Sequence, residues 1–157
     1  MSLVRQEVPA PAQSERVADA VATEVFASAQ LTTAYQATTA LDCHGFDAID
    51  FFVSVDNKGG GSVTKFTVKF ETAVGSSSYT VQNADFAPYI TESVTSGVAT
   101  TNVYEVELND PPLATGLRYI VSVPVRGRWI RAQIKADATS GSNLVSVDAL
   151  RRVNGEL

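Results

Sequence analysis

The one cysteine and the one histidine of the chain stand side by side, Cys43 and His44, inside its densest polar run: Asp42, Asp47 and Asp50 surround them, with Asp56 and Asn57 beyond. A thiol beside an imidazole offers the parts of a nucleophile and its base. Neighbouring residues on a strand point to opposite faces, so these two do not reach each other. No second cysteine or histidine completes the pair, and Cys43 reads as a small core residue. Zinc requires three or four nitrogen or sulfur ligands, which the chain does not offer. Calcium takes oxygen ligands and is harder to exclude. Yet the Asp56-Asn57-Lys58-Gly59-Gly60-Gly61 run lacks the alternating acids of a calcium loop and places a lysine among the ligand positions, so solvated turn residues are the simpler reading. The same glycines lack the Gly-Lys-Ser/Thr ending of a phosphate loop. Glu105 and Glu107 share a strand face, as on a solvated edge. The expectation is no catalytic residue, no cofactor and no metal ligand.

Binding is better furnished. Arg126, Arg128, Trp129 and Arg131 gather within six positions, and Trp and Arg are the residue types enriched where interfaces concentrate their energy. The alternatives are a partner surface, or a tryptophan plugging the end of the fold while the arginines hydrate. Near the N-terminus Leu3, Val4 and Val8 lie in a stretch of small and polar residues broken by Pro9 and Pro11. Residues 1–22 read as an extended arm, either a free tail or a segment that buries those three side chains on another subunit.

The elements that must position these residues follow a period of two, the mark of half-buried strands. In residues 117–136, Tyr119, Val121, Val123 and Val125 alternate with Ile120, Ser122, Pro124 and Arg126, then Ile130, Ala132 and Ile134 alternate with Trp129, Arg131, Gln133 and Lys135. Gly127 between them predicts a tight hairpin. Residues 48–55 and 63–71 predict a second hairpin, with Phe66, Val68 and Phe70 inward and Lys65, Thr67 and Lys69 outward. Val25, Ala27, Ala29 and Leu31 are expected on one face of the first strand, and residues 144–150 form the last. Between Gln82 and Thr101 no strand can be placed, a long stretch that is either a functional loop or holds short strands. Eight or so strands without a helix predict an all-β fold over 23–157: one antiparallel β-sandwich, of jelly-roll type, with the arm at 1–22.

The totals agree. At 157 residues, 45% hydrophobic and 18% charged, the chain is long and apolar enough for one core. It has no apolar run for a bilayer, no h-region of a conventional secretory signal and no Asn-X-Ser/Thr acceptor, so no membrane partner is expected. Net charge is −5, distributed as −9 through Asp110 and +4 afterwards. A basic end on an acidic chain fits self-complementary packing or nucleic acid. The low pI and the lack of repeated aromatics speak against nucleic acid.

The order FDAIDFFVSVDNKG, VTKFTVKFETAVGSSSYTV, LRYIVSVPVRGRWIRAQIKA and NLVSVDALRRV, spanning about residues 40–152, resembles the small β-sandwich proteins of tailed-phage virions, among them head decoration (cement) proteins and tail-associated sandwiches. Tyr79 alone stands for that group's usual aromatic after the second-strand turn. The resemblance implies a non-enzymatic virion protein made in a bacterial cytoplasm. It also implies a homo-oligomer, a trimer by preference, attached to a major capsid protein. The alternative is a tail-associated receptor- or carbohydrate-binding module, for which Trp129, Tyr79, Tyr89, Tyr104 and Tyr119 are the aromatics at hand.

Overall fold

The computed structural model describes residues 19, 21–57, 63–75, 81–109, 117–139 and 143–153. Leu3, Val4, Val8 and Tyr79, and the 58–62 glycine turn, lie outside them. The described chain is all-β: β1 (Thr23–Ala29), β2 (Gln36–Ala37), β3 (Leu41–Asp42), β4 (Ala48–Asn57), β5 (Lys65–Ala73), β6 (Ala87–Pro88), β7 (Ile90–Thr95), β8 (Val98–Val103), β9 (Glu105–Asn109), β10 (Leu117–Pro124), β11 (Trp129–Ala136) and β12 (Asn143–Arg152). A 3-10 turn covers Asn83–Asp85.

Every pairing is antiparallel, and two sheets pack on one core. The first sheet runs β1-β12-β4-β10. In the second, β11 and β5 are central. Strands β2 and β3 follow one another along the free side of β11, and β6 and β9 along that of β5. Taken along the chain, strands otherwise alternate between the two sheets, staying in one sheet only from β2 to β3 and from β5 to β6 and β9. The core lies between the inward rows. Ile49, Phe51, Val53 and Val55 of β4 face Phe66, Val68 and Phe70 of β5, with Ile130 and Ile134 of β11 and Val145 and Val147 of β12 also buried. The Phe51 and Phe70 rings meet at 5.2 Å between centroids.

Both expected hairpins are overturned. β4 pairs with β10 and β12 and not with β5, while β10 pairs with β4 and not with β11. The period-two pattern was correct in naming the buried side chains, but each connection carries the chain across the core to the other sheet. An alternating strand has one buried face whichever neighbour it pairs with, so alternation cannot distinguish a hairpin from a crossover. Gly127 is required for space: an added Cβ would stand 2.0 Å from Thr72 Oγ1 and 3.1 Å from the Ala73 carbonyl. In β1, register shifts between Glu24 and Phe26 and between Phe26 and Ala29 break the expected face. Val25 and Leu31 are buried, Phe26 packs on the core and Ala27 is exposed. Such bulges insert residues that shift the side-chain alternation.

The 82–101 stretch does hold strands. Tyr89 is buried, donates its hydroxyl to the Pro124 carbonyl (2.9 Å) and lies 6.0 Å from Tyr104. The Tyr104 amide donates to the Tyr89 carbonyl at 2.8 Å, closing a neck. From that neck β7 and β8 project as a separate two-stranded sheet. Its Ser96-Gly97 turn has positive φ at both residues (53° and 77°), the two-residue connection that suits the strand twist.

Candidate partner-binding surfaces

The corner between β10 and β11 carries the predicted binding residues, and the fold engages most of them internally. Arg131 is buried on β11. It meets Glu71 directly across the sheet (Nε–Oε2 2.6 Å), donates to Asn83 Oδ1 at 2.7 Å and stacks 4.0 Å from the Phe86 ring centre. The two side chains of the ion pair are only 11% and 13% exposed. Arg128 forks onto Asp42, with Nη2–Oδ2 at 2.7 Å and Nε–Oδ1 at 3.1 Å. Those hydrogen bonds hold the Asp42 carboxyl below its usual range against the opposing effect of burial, helped by the His44 amide. Trp129 is half-buried; its indole packs on Gly75, where an added Cβ would lie 2.5 Å from Nε1. That Nε1 is buried without a hydrogen-bond partner. This corner is a knitted edge, with Arg126 as its exposed member. The Arg126 guanidinium sits at the foot of the projecting hairpin, donating to the Ile90 carbonyl at 3.1 Å and lying 4.9 Å from the Tyr89 ring centre.

The same pairing logic runs through the molecule. Arg151 clasps Asp19 with Nε–Oδ2 and Nη2–Oδ1 both at 2.9 Å, while the Asp19 amide donates to the Arg151 carbonyl at 3.0 Å. Burial pushes the Asp19 carboxyl up, but these bonds and the guanidinium charge outweigh it and hold the group below its ordinary value. Arg152 pairs with Asp50 at 2.5 Å, and Arg118 more loosely with Asp56 at 3.6 Å. Arg151 and Arg152 thus belong to the last strand, which sequence reasoning ended at Leu150. The basic C-terminal part meets the acidic N-terminal part inside one chain.

Cys43 is buried and His44 exposed, so they diverge as adjacent strand-end residues should. Burial pushes the Cys43 thiol up to about 12. Among the described residues no three His, Cys, Asp or Glu side chains gather as a metal site. A polar cleft of about 320 Å³ lies on the outer face of the second sheet, between Thr33, Lys65, Glu105, Lys135 and Asp137. Its charges are also engaged: Lys65 with Glu107 at 3.0 Å, Asp137 with Thr64, and Lys135 and Lys69 at 4.6 and 4.1 Å from the Tyr35 ring centre. The Tyr35 hydroxyl donates to Glu105. Burial together with that carboxylate raises its pKa.

The surface that sequence reasoning missed is the β7–β8 hairpin. Its register puts Ile90, Val103, Val94 and Ala99 on one face around Glu92 and Thr101, and mostly polar residues on the other. Val94 is 70% and Val98 64% exposed. The signal available was Ser96-Gly97 between two Thr- and Val-rich runs of equal length, a hairpin turn flanked by strand formers.

Fold and surfaces together define an antiparallel β-sandwich with a projecting hairpin. No protein-family model and no curated protein matches the chain.

Proposed function

We propose that the chain is a non-enzymatic structural protein of a tailed-phage virion, a capsid decoration (cement) protein that stabilises the head by contacts between subunits. The observation that carries this reading is where the apolar surface stands. Among the described residues, four of the eight large exposed apolar side chains sit on the β7–β8 hairpin, while Arg128, Arg131, Arg151 and Arg152 of the sandwich are paired with its own carboxylates. Exposed apolar surface on a rigid, internally neutralised body fits assembly. A catalytic cleft instead gathers convergent polar groups. The passage from assembly to virion rests on the resemblance of the sequence.

Two further features support it. Counting β2 with β3 and β6 with β9, the strand order becomes first-eighth-third-sixth in one sheet and second-seventh-fourth-fifth in the other. We read this interleaving as the double Greek key of a jelly roll. The arm at 1–22 has a firm root, because Asp19 is clasped to β12. In this reading the partners are further copies of the chain, as a trimer, and a major capsid protein, with no nucleic acid, membrane or cofactor. The chain would be made in the bacterial cytoplasm and would reside in the virion. The tail-associated, sugar-binding alternative is less well supported, since Tyr89 is buried and Trp129 packs on Gly75.

Immunogold labelling of purified virions that carry this gene, with antibody raised against the chain, is the test. Regular labelling of heads is expected. Label confined to tails would transfer the chain to the alternative, and unlabelled particles would overturn both.

A further inference from the structure

Thr67 faces outward from the second sheet, between inward Phe66 and Val68, and is nonetheless only 7% exposed. Its ladder neighbours account for this. Glu107 of β9 stands across from it on one side and Lys135 of β11 on the other, so carboxylate, hydroxyl and ammonium form one row over three strands. Strands lie about 4.8 Å apart, which sets the ends of the row about 10 Å from each other along the sheet. Tyr35, just ahead of β2, reaches over this face. Its hydroxyl donates to Glu105 on β9, and Lys69 and Lys135 lie against its ring. The other end is fixed by Asp137, which accepts from the Thr64 amide at 3.0 Å. The cleft of about 320 Å³ between them is thus built before a ligand arrives, and its size falls at the lower end of small-molecule sites, about 300–1,000 Å³.

Apart from Ala136, the lining side chains carry hydroxyl, ammonium or carboxylate groups. Their internal pairing leaves capacity. Lys65 meets one oxygen of Glu107 and Tyr35 one oxygen of Glu105, while an ionised carboxylate accepts about four hydrogen bonds. Among the described residues Lys135 has its ring contact and no ion pair, so its N–H groups have bonds to give. The mixture of charges selects the ligand. An anion would meet Glu105, Glu107 and Asp137, and a cation would meet Lys65 and Lys135. A hydroxyl satisfies both kinds of group, since it donates to a carboxylate and accepts from an ammonium.

We infer that this cleft binds a neutral saccharide of one or two hexose units, its hydroxyls donating to Glu105 and Glu107 and accepting from Lys135. The inference goes beyond the virion reading and does not rest on it. The site is not an aromatic sugar platform, because the Tyr35 ring is taken by its two lysines. Hydrogen bonds that replace those to water add little net affinity. Binding is accordingly weak, with a dissociation constant of about 1–10 mM, and strengthens on any surface that bears many copies.

The test is titration of the isotope-labelled full chain with the methyl glycosides of glucose, galactose, mannose and N-acetylglucosamine, read from amide NMR shifts. At least one glycoside should shift the amides of Thr33, Thr67, Glu107 and Lys135 along a curve that saturates in that range. Glu107→Gln and Lys135→Met should each weaken this binding about fivefold or more, with the remaining spectrum unchanged as the sign of an intact fold. Should Lys135→Met alter the fold, Thr33→Ala at an exposed position of the rim gives the same reading. No saturable shift with any of the four glycosides would overturn the proposal, as would shifts that gather elsewhere or binding that the variants leave unchanged. Inorganic phosphate that bound equally well at the same amides would overturn it too, by making the cleft an anion site. None of these results alters head labelling, so the virion reading stands or falls separately.

Discussion

The guanidinium of Arg131 is held from three directions, by the Glu71 carboxylate, the Asn83 side chain and the Phe86 ring. Its position on β11 opposite Glu71 is set by the ladder, so the pair forms without a search by either side chain. Both partners are largely out of water, and removing one strands the other. Arg131→Ala should cost about 3 kcal/mol in denaturant unfolding, whereas Arg131→Met combined with Glu71→Leu should recover most of that loss. A single-variant loss under about 0.5 kcal/mol, the size of an ordinary surface change, would return Arg131 to the set of free binding residues. Arg126 differs: its guanidinium is exposed and its anchor is a backbone carbonyl at the hairpin foot. Of the four residues singled out at the corner, it alone keeps a free outer side for a partner.

At the scale of elements, the proposed boundary between an N-terminal arm and the sandwich becomes testable. Val21 and Ala22 are exposed, so among the described residues ahead of β1 it is Asp19 that ties to the sandwich, by its clasp on Arg151. A chain starting at Asp19 should be as stable as the full one at neutral pH. A chain starting at Thr23 should lose about 2 kcal/mol, the worth of a hydrogen bond to a half-buried charge. The folded-state carboxyl of Asp19 titrates below its ordinary 3.8, so the contribution is complete above that value and is lost as pH falls through the lower folded one. The stabilities of the two truncated chains should therefore converge in acid, as read from urea midpoints between pH 2 and 6. A difference that persists at the lowest pH would mean the clasp is not electrostatic. Strand positions and inward faces were legible in the sequence because burial imposes a period of two on each strand separately. The partners of those strands were not, since pairing is decided by where the chain goes between strands. The hairpin was missed for a related reason. Its Thr- and Val-rich strands build no core, so burial did not sharpen their alternation, and only the turn at Ser96-Gly97 marked them.

For the whole molecule, interleaving has consequences that no single strand carries. The basic strands β10, β11 and β12 are laid against acidic earlier segments, so Arg118, Arg128, Arg131, Arg151 and Arg152 each find a carboxylate from residues 19–71. The basic end of the sequence is thus matched in space by carboxylates of its acidic part. The same weave puts β12, the last strand of the chain, between β1 and β4. It buries Val145, Val147 and Ala149 and supplies the partners of Asp19 and Asp50. The two valines alone are worth about 3–6 kcal/mol by burial. Net stability of a domain is only on the order of 5–15 kcal/mol. A chain ending at Thr139 should therefore show no cooperative unfolding transition by circular dichroism, and adding a peptide of residues 143–157 should restore one. A sharp transition in the shortened chain would mean that β1 and β4 close the gap without it. The first sheet would then be a looser assembly than its order implies. If the prediction holds, the first sheet cannot form until β12 has been made, and folding follows long-range pairing, which is intrinsically slow.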